Sequence, residues 1–89
     1  MAWFDVMWVY PEDADRPEES NVAHVAQHGL TIEDVEHALQ HPFGPAQQSR
    51  TSSRQVQTGP AVDGELIDVV YEWLDDVTIY PVTAYRLGE

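Results

Sequence analysis

The chain contains no cysteine and no lysine. Without thiols, disulfides and thiolate metal sites are excluded. Without lysine, its strong cations are four arginines, set against sixteen aspartates and glutamates for a formal charge of −12. Nucleic-acid binding ordinarily depends on Lys and Arg displacing counterions from phosphates. The balance therefore disfavours RNA as a partner unless a dimer or complex contributes positive charge from elsewhere; separately, a homodimer is a candidate state. The same balance attracts basic proteins, arginine-rich ones in particular. Apolar runs fall far short of the roughly 20 residues needed to span a membrane, and no basic-then-apolar leader opens the sequence. A cytoplasmic protein with no membrane association is the expectation. Internal repeats and low-complexity tracts are also missing.

What is present suffices for one fold. A chain of 89 residues makes a single domain, 1–89, that buries roughly 60–65% of its unfolded surface. Its hydrophobic content of 43%, with three Trp, four Tyr and two Phe, exceeds what a disordered chain carries. Residues 2–10 are aromatic and β-branched and read as a strand. Phe4, Val6, Trp8 and Tyr10 share one face, and Trp3, Asp5, Met7 and Val9 the other. A strand apolar on both faces is expected inside a sheet. Pro11 ends it, and an acidic connector occupies residues 12–19.

A helical hairpin follows over residues 21–41. Its first helix is expected to begin between Asp15 and Ser20, with Asp15 as N-cap and Pro17 in the first turn. Val22, Val25 and Ala26 form its apolar stripe, and Gly29 is placed to stop it. Thr31 then caps a second helix with Asp34 at the capping-box position. Ile32, Val35, Ala38 and Leu39 recur at helical spacing until Pro42. Beyond a loop at 43–53 come a polar strand at 53–58, which suits a sheet edge, and a long apolar strand at 65–74. Asp75 and Asp76 turn the chain into a last strand at 77–87, where Pro81 requires an edge or a bulge. Gly59 and Gly64 read as turn glycines. The order β-α-α-β-β-β, with short connections between the last strands, predicts an α+β fold: a small antiparallel sheet with the helical hairpin on one face.

Chemistry-bearing residues are few. His24 and His28, like His37 and His41, stand four apart on helix faces turned away from the apolar stripes. Two imidazoles at that spacing can share a metal, but neither cysteine nor an H-E-x-x-H carboxylate completes a ligand set. Solvated surface histidines, with one capping a helix end, are the alternative, with a catalytic role for His28, direct or supporting, the third reading; no metal and no cofactor are expected. Arg16 suits a surface ion pair. Arg50 and Arg54 flank the polar strand and Arg86 ends the last one, so Arg54 and Arg86 could meet at one end of the sheet. Their planar forks suit phosphate or carboxylate. Arg–Glu bridges are the competing reading. Tyr71, Tyr80, Tyr85 and Trp73 on the terminal hairpin are expected to pack across strands. A glycine-rich phosphate loop, a Ser-His-Asp signature and a basic recognition helix are all absent.

The run Asn21-Val-Ala-His24-Val-Ala-Gln-His28-Gly29-Leu-Thr-Ile-Glu-Asp-Val35-Glu36 resembles the N-x-x-H-(I/V)-x-x-H-G-(V/L)-x-x-E-(E/D)-V-E stretch of BrnT-type toxin-like proteins. These belong to the RelE/ParE superfamily of toxin–antitoxin systems. The second half is similar too: Ser53-Arg54, Gly59, Gly64, Ile67-Asp-Val69-Val70-Tyr71, then Tyr80-Pro-Val-Thr83-Ala84-Tyr85. The resemblance covers about Trp8 to Arg86. It implies a RelE-like fold, metal-independent endoribonuclease cleavage of mRNA, and neutralisation by an antitoxin protein. RNA cleavage by the ribose 2′-hydroxyl needs a base, an acid and a cation near the developing charge. By position the resemblance implies His28 in proton transfer and Arg54 at the phosphate, with Tyr85 and Arg86 as further catalytic candidates. The chain departs from the pattern in lacking lysine and in carrying Gln27 where such toxins often have a basic residue. A non-catalytic relative acting as an acidic protein-interaction domain is the alternative.

Overall fold

Four residues punctuate the helical hairpin. The computed structural model, which describes residues 4–48 and 54–88, places α1 over Asn21–Gln27 and α2 over Ile32–Gln40. The Ser20 Oγ accepts the Ala23 N–H at 3.0 Å and caps α1. Gly29 takes a left-handed φ of 74°, open to glycine at no steric cost. There the Gly29 N–H donates to the Ala26 carbonyl and the Leu30 N–H to the Val25 carbonyl, both at 3.0 Å. This is the Schellman pattern that satisfies the last carbonyls of a helix. Thr31 and Asp34 form the reciprocal capping box, with bonds of 3.2 and 3.1 Å. The N-cap of α1 is thus Ser20 and not Asp15. Pro17 instead opens a separate 3-10 turn, Pro17–Glu19, one of two in the acidic connector, because its fixed φ suits the start of any helical turn.

Among the described residues the sheet has five strands: β1 Asp5–Val6, β2 Gln47–Gln48, β3 Gln55–Pro60, β4 Leu66–Trp73 and β5 Thr78–Arg86. Their spatial order is β1-β5-β4-β3-β2. The last three strands are antiparallel neighbours, as their short connections require. β1 runs parallel to β5, so the sheet is mixed and not wholly antiparallel. β1 is also a short edge strand and not an internal one. Around it Phe4, Val6 and Trp8 pack against the core from one side, while Met7 on the other side is exposed, as is Tyr10 further along. Beyond Val6 the chain passes to Asn21, whose amide accepts from the Val9 N–H at 2.8 Å and donates to the Met7 carbonyl at 3.0 Å. β3, expected at an edge, lies inside the two-residue β2. The expectations for Trp3, Arg50 and Ser53 lie outside the described residues.

Pro81 lies at a bulge. Val70 faces Thr83 and Tyr71 faces Pro81, which leaves Val82 as the extra residue of β5. β1 has ended by then, its last pairing being Val6 with Ile79, so the missing proline N–H breaks no ladder with it. Both helices pack on one face of the sheet over Val25, Val35, Ala38, Leu39, Ile67, Val69 and Ile79. Gly59 is no turn residue: it is buried in β3, and a Cβ there would collide with the Ala38 backbone of α2. Gly64, at φ 92°, is the turn glycine. Among the described residues, no helix is long and apolar enough to cross a membrane.

Candidate functional site

Strand alternation sorts the sheet into two faces. On β4, Ile67, Val69 and Tyr71 turn toward the helices and are buried, while Leu66, Asp68, Val70 and Glu72 turn the other way and are half-buried. Cross-strand register then builds the second face row by row. Asp68 stands between Thr58 of β3 and Tyr85 of β5; Val70 stands between Val56 and Thr83; Glu72 faces Tyr80, with Arg54 on its other side.

The first row is held by hydrogen bonds. The Thr58 hydroxyl donates to Asp68 Oδ1, and the Tyr85 hydroxyl also donates to Asp68. Partial burial, then the charge of Asp68 and its hydrogen bond, hold the Tyr85 phenol above its ordinary value of 10.0. At neutral pH Tyr85 is therefore a donor and not a base. The His28 ring, at the C-cap of α1, lies 6.3 Å from the Tyr85 ring, centroid to centroid, at a tilt of 57°. His28, Tyr85 and Asp68 thus form one neighbourhood at the β5 side of this face.

The arginines lie elsewhere. Arg54 Nε donates to Glu72 Oε1 at 3.2 Å. Arg86 reaches Asp63 at 3.3 Å and Glu65 at 3.1 Å in the β3–β4 connection. Asp63 lies below its ordinary carboxylate range chiefly because the Glu65 N–H donates to it, with Arg86 adding to the effect. Arg86 pairs with Ile67 in register, whereas Arg54 sits beside Glu72. The two lie five positions apart along β4, roughly 17 Å at about 3.4 Å per residue. They do not meet, and both make the Arg–Glu bridges that were the competing reading. Arg16 bridges Glu19 at 3.9 Å on the surface.

Two of the four histidines bond the sheet, while His41 is exposed at the C-cap of α2 and His28 is the C-cap of α1. His24 Nδ1 bonds the Val82 carbonyl at 3.1 Å, a group of the extra residue in the β5 bulge, and His37 Nδ1 bonds the Pro60 carbonyl at 2.8 Å. A carbonyl only accepts, so each Nδ1 carries the hydrogen. His37 and His41 rings lie 4.5 Å apart. Among the described residues, no group of three or more His, Cys, Asp or Glu side chains is placed to hold a metal ion. Tyr71 packs in the core, as expected, with its hydroxyl on Gln55 Oε1 at 3.1 Å.

Of the four residues that the motif resemblance singles out, His28 and Tyr85 are brought together, while Arg54 and Arg86 are drawn away. Asp68 and Thr58 complete the neighbourhood, and sequence reasoning misses both. Their signal is the isolated Asp68 in an otherwise apolar strand, whose partners only the register names. No family model, no curated protein and no solved structure matches the chain.

Proposed function

We propose that the chain is a toxin-like protein of the BrnT type, in the RelE/ParE superfamily, whose work is done through a basic protein partner of the antitoxin kind. The observation that carries this reading is the disposition of the arginines. Arg54 and Arg86, the candidates for a phosphate, each lie against the chain's own carboxylates at 3.1–3.3 Å and at opposite ends of β4. Beside His28 and Tyr85 stands the carboxylate of Asp68, which repels a phosphodiester and attracts a cation. The fold supports the reading as well, since a small sheet with both helices packed on one face agrees with the architecture that the motif resemblance implies.

A second reading, metal-independent mRNA cleavage by the chain itself, draws on the 6.3 Å approach of His28 to Tyr85. Imidazole and phenol are a base and an acid within reach of one small substrate group. Induced expression separates the two. On the protein-partner reading, the chain forms a stable complex with a basic protein encoded beside it, and purified chain leaves single-stranded RNA intact. Growth arrest and RNA cleavage by the wild type, both abolished in His28→Ala and Tyr85→Phe, would establish the enzyme instead.

A further inference from the structure

The sheet face opposite the helices carries a pattern with the period of an extended chain. Along β4 it presents carboxylate, apolar and carboxylate at Asp68, Val70 and Glu72. Each carboxylate has a tyrosine directly across on β5: Tyr85 faces Asp68 and Tyr80 faces Glu72, with Thr83 facing Val70 between them. Directly opposed residues share a face and touch. The two carboxylates stand four residues apart, roughly 13–14 Å at about 3.4 Å per residue. A second extended segment, with cations at positions i and i+4 and a small apolar side chain at i+2, has the same spacing on one side.

The face already holds one guanidinium. Arg54 Nε approaches Glu72 Oε1 at 3.2 Å from the β3 side, and Tyr80 stands across Glu72 on β5; a carboxylate with an aromatic ring next to it is what a guanidinium recognises by hydrogen bonding and by stacking. The Asp68 row offers the same two groups. Thr58 and Tyr85 give Asp68 neutral donors, and a carboxylate offers about four acceptor sites. Both helices pack on the opposite face, and His28 at the C-cap of α1 lies 6.3 Å from Tyr85 at the β5 side of these rows. The charge of the whole chain, −12, draws a cationic segment toward it.

We propose that this face is a docking surface for one extended, arginine-bearing segment of a partner protein. One arginine bonds Asp68 against Tyr85, the residue two further on lies on Val70 and Val56, and a second cation meets Glu72 in place of, or beside, Arg54. The proposal rests on the protein-partner reading above and names the surface that it uses.

The test uses the full chain and a synthetic capped peptide with the pattern Arg-Thr-Val-Thr-Arg, beside a control with citrulline at both arginines. Binding is followed by calorimetry and by amide chemical shifts. The expected result is that the arginine peptide binds, the citrulline peptide does not, and the shifted amides centre on Asp68, Val70 and Thr83. Asp68→Asn keeps the oxygen that Thr58 and Tyr85 need, and it should weaken binding about tenfold or more, as loss of one partner of a charge pair does. Glu18→Gln with Glu19→Gln, on the remote connector, should change it less than about threefold, as rim charges do. Equal losses in both variants, or shifts spread over the acidic connector, would show general charge attraction and overturn the surface while leaving a basic partner standing. Binding of a larger basic protein unaffected by Asp68→Asn would do the same. Failure to bind any basic protein or peptide removes the partner reading itself. A single-stranded RNA binding this face in place of the peptide overturns both. Shift mapping on the wild type keeps the outcome clear even if a variant folds poorly.

Discussion

At the scale of single residues, Asn21 shows what a motif position can be for. It is buried and bonds both the Val9 N–H and the Met7 carbonyl, so it ties the segment after β1 to the first residue of α1. Asn21→Ala removes two hydrogen bonds and strands two backbone groups. A stability loss of about 2–3 kcal/mol is expected, to be read from the urea midpoint at constant slope. Tyr85 gives a second prediction. Its phenol is raised above 10.0 first by burial and then by Asp68. Asp68→Asn removes the charge but not the burial, so the tyrosinate absorbance of that residue should appear at lower pH than in the wild type yet still above the ordinary value. A raised folded-state pKa means that the contribution to stability is whole below about pH 10 and is lost as the pH climbs through the folded value. Alkaline unfolding should therefore begin earlier in the wild type than in Tyr85→Phe. An unchanged onset would contradict the assignment.

At the scale of elements, what the sequence makes legible is local. Gly29 as a stop, Thr31 with Asp34 as a restart, and Pro81 as a break each act through their own backbone chemistry, and each does in the fold what its residue type requires. The N-cap of α1 is Ser20 and not Asp15 because Pro17–Glu19 forms a separate 3-10 turn that ends at Ser20, so the α-helix begins only beyond it. Pairing is not legible. Two apolar faces point to an internal strand, yet in β1 one face is satisfied by the core and the other is left partly exposed beside Asn21. The separation of Arg54 from Arg86 depends on the β4 register, and so do the partners of Asp68. Gly59 has the look of a turn residue because its requirement is imposed from outside, by Ala38 of α2. That contact predicts that Gly59→Ala, harmless in an ordinary turn, costs about 1–3 kcal/mol by forcing α2 off β3. A thermal unfolding midpoint within a degree or two of the wild type would refute it.

At the scale of the whole molecule, the net charge governs behaviour in solution. With sixteen acids against four arginines, and Arg16, Arg54 and Arg86 already committed to ion pairs, the folded state works against its own repulsion. Screening lengths shrink from about 30 Å at 0.01 M salt to about 8 Å at 0.15 M. The melting temperature should therefore rise with sodium chloride over that range, opposite to a protein whose surface charges mainly attract. Its value should rise further on binding a polycation at constant salt, since a ligand of the folded state stabilises it.

The parallel pairing of β1 with β5 also has a consequence for how the molecule is made. Asp5 and Val6 find their partners only at Thr78 and Ile79, on the last of the five strands to leave the ribosome. Contacts between residues so distant in the chain close late, because the intervening loop must first lose its freedom. During synthesis, the aromatic segment Phe4, Val6 and Trp8 has no sheet to join. The helical hairpin, whose caps and stop are all local, can form while that segment waits. The newborn protein thus holds its stickiest stretch in reserve until β5 arrives, and that interval is when a partner or a chaperone would find it most accessible.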